Sequence, residues 1–167
     1  LESRPLALEL AAGTAEFSLE LAKLHPEMDF VAIDIKSDRL YTGAKKAQID
    51  GVKNIAFVRC QLESLYGHSD PPTGGEESLG SDPSSKTQDD NERRVLEQIF
   101  GKNSVDEIWL TFPDPHPKRR SAKHRLTGIS YLRQYRNLLK KSGELKFKTD
   151  NLDLFHWSLE QFVADKW

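Results

Sequence analysis

Asp114 stands in "TFPDPHPKRRSAKHRLT" (111–127), between Pro113 and Pro115, with Pro117 two residues further on. Each proline fixes its own φ near −65° and biases the residue before it towards extended conformations. A carboxylate framed this way is held in one direction. It can serve a ligand as a hydrogen-bond acceptor, or it can close its own x-Pro-Asp-Pro turn. A cationic run follows at once: Lys118, Arg119, Arg120, Lys123, His124 and Arg125. These are five Lys/Arg and one His within eight residues, on a chain whose net charge is −2. Such asymmetry favours phosphate contact over a merely solvated face.

A second group lies in "ELAAGTAEF" (9–17). Ala11, Ala12, Gly13 and Ala15 are small enough to let a ligand approach the backbone. Asp34 follows about 20 residues past Gly13, where an acid can accept hydrogen bonds from ribose hydroxyls. The loop has one glycine and does not match G-x-G-x-x-G. A nucleoside site and a tight turn with a solvated acid are both open on these residues. His25, His68 and His156 show no metal-ligand spacing, and no metal is expected.

Alternating strands and helices must position these residues. "PLALEL" (5–10), "DFVAIDI" (29–35), "NIAFVRC" (54–60), "VDEIWLTF" (105–112) and "GELKFKT" (143–149) have the apolar, β-branched character of strands. Helical spacing recurs at Phe17, Leu21 and Leu24. It recurs again at Leu40, Tyr41, Ala44 and Ala47, with Gly51 as a stop. The third and fourth helices are marked by Val95, Leu96, Ile99 and Phe100, and by Tyr131, Leu132, Tyr135, Leu138 and Leu139. The last carries Leu152, Phe155, Leu159 and Phe162, with Asn151 as its cap. This order predicts an α/β fold with a mostly parallel sheet covered by helices on both faces. Trp109 is expected in the core and Trp157 in helix packing.

The length of 167 residues predicts a single domain spanning 1–167. Its one interruption, at 67–92, is rich in Gly, Pro, Ser and acids and predicts a flexible insertion. At 37% hydrophobic and 30% charged residues the composition is that of a globular protein. No run approaches the ~20 apolar residues of a membrane span. The single Cys60 excludes an internal disulfide framework and fits a small core residue. The chain begins on a strand without Met, as a trimmed chain would. An intracellular location is expected, in the cytoplasm or, had a targeting segment been removed, in an organelle.

With "FPDPHPKRRSAKHRLT" and "FKTDN" in view, the chain resembles the bacterial-type tRNA (guanine-N7)-methyltransferases. That family has a class I, Rossmann-like fold and an E-x-G-x-G-x-G loop that binds S-adenosylmethionine. Its strand four runs into F-P-D-P-W-P-K-K-R-H-x-K-R-R-L-T, and its strand five ends in F-K-T-D-N. Ala11 and Ala15 stand at two of its glycines, His116 at its Trp, and Ser121 at its His. The family continues into two further strands that help form the guanosine pocket, and the resemblance implies that these C-terminal strands are missing from this chain.

The resemblance implies methyl transfer from S-adenosylmethionine to N7 of a guanine in tRNA. Asp114 is then the catalytic candidate. Glu9, Ala11, Gly13, Asp34, Ile35, Gln61 and Leu62 would bind the cofactor. Asp114, His116, Lys118, Arg119, Arg120, Lys123, Arg125 and Asp150 would bind tRNA, with Asp150 also placed to act as a turn acid. A partner subunit or self-association stays open. The alternatives are a catalytically weakened tRNA-binding relative or a nicotinamide-linked Rossmann enzyme.

Overall fold

The computed structural model describes residues 4–60, 62 and 95–167. The predicted insertion at 67–92, and Gln61, lie outside the described residues. Five parallel strands form one sheet in the order β3-β2-β1-β4-β5. They are β1 (Leu6–Leu10), β2 (Asp29–Asp34), β3 (Ile55–Arg59), β4 (Val105–Thr111) and β5 (Leu139–Lys148). The helices are α1 (Glu16–Leu24), α2 (Ser37–Ile49), α3 (Val95–Phe100), α4 (Ile129–Leu138) and α5 (Leu152–Ala164). A 3₁₀ helix, Arg119–His124, follows β4.

Burial follows position in the sheet. In β1 and β2 every residue after the first is buried, as in strands covered on both faces. The edge strand β3 has no fully buried residue. Leu8, Leu10, Ile33, Ile108 and Leu110 join Leu96, Tyr131, Leu132, Tyr135 and Leu138 in the main core. Phe30 and Ala7 pack with Ala22 in a second cluster, against which half-buried Trp109 lies. The predicted cap of α5 is present: Asn151 Oδ1 accepts from Leu154 N at 2.8 Å. Gly51 follows α2 with φ +70°, the left-handed stop expected there.

Three details differ from the sequence expectation. β5 begins at Leu139, before the glycine that seemed to start it, and ends at Lys148. Leu139 pairs with Val105, and the register then shifts so that Glu144 faces Glu107. The inward face of α1 is Ser18, Leu19 and Ala22, while Leu24 is 71% exposed. α5 buries Leu154 and Ser158 and leaves Leu152, Phe155 and Leu159 exposed. Among the described residues no helix is long and apolar enough to cross a membrane.

Candidate active site

The chain leaves β1 towards β2 and β3 on one side, and returns to place β4 on the other. The carboxyl ends of β1 and β4 therefore flank the switch point where open α/β sheets leave a crevice. A cleft of about 730 Å³, open mouth included, lies at these ends. Each strand from β1 to β4 supplies lining residues: Ala11; Asp34 and Ile35; Cys60 and Leu62; and Phe112, Pro113 and Asp114. Lys36, Arg39, His116, His124 and Leu126 complete it. Two acids, two cations and two imidazoles thus share one apolar-floored cleft. Burial pushes the Cys60 thiol up, so it stays protonated in this wall.

The loop after β1 alternates in hand. Ala11, Gly13 and Ala15 have φ of +57°, +59° and +56°. Glycine adopts this region freely; alanine pays roughly 1 kcal/mol for it. The alanines keep the left-handed backbone because the loop is tied on several sides. Ala12 N donates to Ile33 O at 3.0 Å, and Ala15 N to Ala12 O at 2.8 Å. Ala15 is wholly buried against Ala32 and Leu40. Gly43 of α2 lies so close to the Thr14 carbonyl that a Cβ there would collide with it.

Asp34 is the main tie. It is 6% exposed. Its Oδ2 accepts from Gly13 N and its Oδ1 from Lys36 N, both at 2.8 Å. One carboxylate thereby joins the β1 loop to the start of α2. Each oxygen keeps a second lone pair, so the group can still accept from a ligand hydroxyl on the cleft side.

Glu9 takes no part in the lining. It is 2% exposed between β1, α1 and β4. Its Oε2 accepts from Ser18 Oγ at 2.5 Å and from Ser18 N at 3.2 Å, and its Oε1 accepts from Thr111 Oγ1. Burial raises its pKa, with the nearby Asp34 charge adding to the rise and the Ser18 and Thr111 hydrogen bonds opposing it. Its contribution to the cleft is indirect: it braces the strand and helix that carry the loop.

On the opposite wall, Phe112 and His116 have φ of +50° and +41°. Both precede a proline, which further narrows the backbone choices of the residue before it. Between them Asp114 is exposed at the cleft rim. Phe112 N donates to Lys148 O at 2.8 Å, which fixes the start of this loop to the end of β5. The His116 and His124 rings are tilted by 47° to each other with centroids 5.7 Å apart.

The cationic run divides into two parts. Lys118, Arg119, Arg120 and Lys123 lie exposed on or beside the 3₁₀ helix. Arg125 turns inward. Its Nε donates to Pro115 O at 3.0 Å and its Nη2 to His116 O at 3.2 Å. Its guanidinium lies 4.5 Å over the Trp157 ring. The next residues are pinned as well. Tyr135 Oη donates to Leu126 O at 3.1 Å, and the Thr127 and Ser158 hydroxyls are 2.7 Å apart. Ser158 donates to Leu154 O, so Thr127 donates to Ser158.

Of the residues singled out in the sequence, Ala11, Asp34, Ile35, Leu62, Asp114 and His116 come together around the cleft. Gly13 touches it through Asp34. Glu9, Lys118, Arg119, Arg120, Lys123, Arg125 and Asp150 do not line it. Lys36, Arg39 and His124 line it without having been singled out for this cleft. The signal for Lys36 and Arg39 was their position just past the end of β2.

A family model described as "Putative methyltransferase" matches residues 3–67 and 86–166. Among curated proteins, the chain is 37% identical over 147 residues to a tRNA (guanine-N(7)-)-methyltransferase of Christiangramia forsetii, covering 88% of this chain and 52% of that protein. A protein of the same name from Brevibacillus brevis is 30% identical over 164 residues, covering 98% of this chain and 62% of its own length. The chain thus spans roughly half to six-tenths of these relatives. In fold it is similar to a precorrin-6y C5,15-methyltransferase of Geobacter metallireducens, with a TM-score of 0.61, 12% identity, and 99% and 63% of the two chains covered. A SAM dependent methyltransferase from Aquifex aeolicus gives a TM-score of 0.56 at 13% identity, with 99% and 72% covered. The parallel sheet, the cleft at its switch point and the match across both halves of the sequence agree: the chain belongs to this methyltransferase family, and its curated relatives there are tRNA (guanine-N(7)-)-methyltransferases.

Proposed function

We propose that this chain carries the catalytic cleft of a tRNA (guanine-N7)-methyltransferase. The observation that carries the reading is the meeting of two acids in one crevice, Asp34 from the end of β2 and Asp114 from the end of β4. The residues present suit S-adenosylmethionine. Asp34 keeps acceptor capacity for ribose hydroxyls, and Ile35 and Leu62 offer apolar surface for a purine. The left-handed loop at Ala11–Ala15 presents backbone rather than side chain, and Gly13 has open space where a Cβ would stand. The bound donor would supply a methyl group on a positively charged sulfur.

Guanine N7 has a lone pair and no proton, so the reaction requires no general base. The protein's work is alignment and exclusion of water. Asp114 accepts hydrogen bonds from the N1–H and N2–H₂ edge of the base and offsets the charge that develops on the purine. The base leaves its stack to reach the cleft, at a cost of a few kcal/mol. Lys118, Arg119, Arg120 and Lys123 hold the RNA backbone beside it through phosphate contacts. His116 stacks on a base at the rim.

The test is transfer of a tritiated methyl group to unmodified tRNA, followed by nucleoside analysis. The reading predicts 7-methylguanosine and no other labelled nucleoside. A second reading, a catalytically weakened tRNA-binding relative, draws on the Cβ of Ala11 in the cleft wall. Calorimetry with S-adenosylhomocysteine separates the two: clear binding speaks against the second.

A further inference from the structure

We propose that Arg125 is a positioning residue that sets the Asp114 loop, rather than a phosphate contact like its cationic neighbours. This inference deepens the reading above and rests on it. The guanidinium is half-buried, its Cζ 4.5 Å from the Trp157 ring centroid, and it donates to the two carbonyls that directly follow Asp114, those of Pro115 and His116. A planar fork with several N–H donors in fixed directions can bond two adjacent carbonyls while lying over an aromatic face; an ammonium has neither the fixed fork nor the planar face. The loop requires such support. Phe112 and His116 both hold positive φ ahead of a proline, and Asp114 sits between them at the rim. The brace has a rigid foundation. Trp157 belongs to α5, and the next residue of that helix, Ser158, receives the Thr127 hydroxyl two positions past Arg125. A line of contacts thus runs from α5 through Trp157 and Arg125 to the backbone behind Asp114.

Two accounts of Arg125 then differ in what substitution does. A phosphate contact contributes to tRNA affinity and to its salt dependence. Losing one contact lowers the slope of log K against log salt by about 0.9 for a duplex and about 0.7 for a single strand. A brace contributes to the rate at saturating tRNA. The experiment compares the parent chain with Arg125→Lys, Arg125→Gln, Trp157→Phe and Trp157→Leu. It measures single-turnover methyl transfer at saturating tRNA, tRNA affinity between about 50 and 200 mM salt, and the Arg125 Nε–H resonance in the tRNA-free protein.

The brace predicts that Arg125→Lys, which keeps the charge, loses roughly 10- to 100-fold in rate, a size seen for misplacement of reacting groups. Arg125→Gln leaves the salt slope unchanged. Trp157→Phe retains most of the rate and Trp157→Leu behaves like Arg125→Lys. The Nε–H resonance is protected from water and ring-current shifted in the parent and in Trp157→Phe, and it loses the shift in Trp157→Leu. The inference is overturned by a normal saturating rate in Arg125→Lys with a lowered slope in Arg125→Gln, or by an Nε–H that exchanges freely in the parent. A parent chain that transfers no methyl group sinks the proposed function instead, and the resonance still decides whether the brace exists.

Discussion

Replacing Asp34 by Asn removes one charge and one acceptor from a group that holds two backbone amides. In the folded chain Gly13 N and Lys36 N each donate to it at 2.8 Å. Hydrogen bonds to a charged group contribute about 1.5–3 kcal/mol each, against about 0.5–1.5 for neutral partners. Asn can keep one of these bonds, weakened by about 1 kcal/mol. Its NH₂ must then face the other amide, leaving a donor against a donor at a further cost of about 1–3 kcal/mol. Gly13 is only half-buried, so water relieves part of that cost. The expected loss is about 2–3 kcal/mol, or roughly 4–12 °C in Tm at about 2–4 °C per kcal/mol for a chain of this size. Urea unfolding without any ligand reads it directly. Asp34 serving only as a ligand contact would leave Asp34→Asn within about 0.5 kcal/mol of the parent, and that result would refute the tether.

The alanines of the same loop give a paired expectation. Ala11→Gly relieves left-handed strain of about 1 kcal/mol but frees the unfolded chain by about 0.4–1 kcal/mol, so stability changes little. Ala15→Gly also loses a fully buried methyl, worth about 0.8 kcal/mol, and is the less stable variant; urea midpoints of the two give the order. Ala11→Gly further widens the cleft wall and tightens S-adenosylhomocysteine in calorimetry. Glu9 supplies a pH signature. Its folded-state pKa lies above the ordinary carboxylate value, chiefly through burial. The folded chain therefore binds the proton more tightly, and stability falls as pH rises from the unfolded-state value through the folded one. Glu9→Gln removes that fall: its amide oxygen can still accept from Ser18 while its NH₂ donates to the Thr111 hydroxyl, which reverses role, so its gain over the parent is larger at pH 7 than at pH 4. An equal difference at both pH values would contradict the buried-acid account.

Much of this was legible from the chain alone, for physical reasons. β1 and β2 announce themselves because a strand covered on both faces is apolar along its length. Asn151 announces a helix start because its side chain can satisfy an orphan amide. The helix faces were less legible. In α1, Ser18 is turned inward to bond Glu9, and the spacing of Phe17, Leu21 and Leu24 cannot reveal a buried acid on the neighbouring strand. In α5 the apolar residues Leu152, Phe155 and Leu159 are exposed while Ser158 is buried, because Ser158 serves Thr127 and the Leu154 carbonyl. The cationic run was legible as charge, but not as two populations. Whether an arginine faces solvent or folds back on its own loop depends on Trp157, 32 residues later. Lys36 and Arg39 went unread because a surface cation at a helix start, Lys36 just before α2 and Arg39 in its first turn, carries no pattern that marks it as facing the crevice.

The most direct measurement of the central claim is nucleoside analysis of unmodified tRNA after incubation with labelled S-adenosylmethionine, run side by side for the parent chain and Asp114→Ala. The account predicts 7-methylguanosine from the parent. For Asp114→Ala it predicts loss of at least ~100-fold in rate, in the range of about 10²–10³ known for removal of one transition-state contact, with tRNA binding nearly unchanged. Robust methylation by Asp114→Ala, or label from the parent in a nucleoside other than 7-methylguanosine, would contradict it.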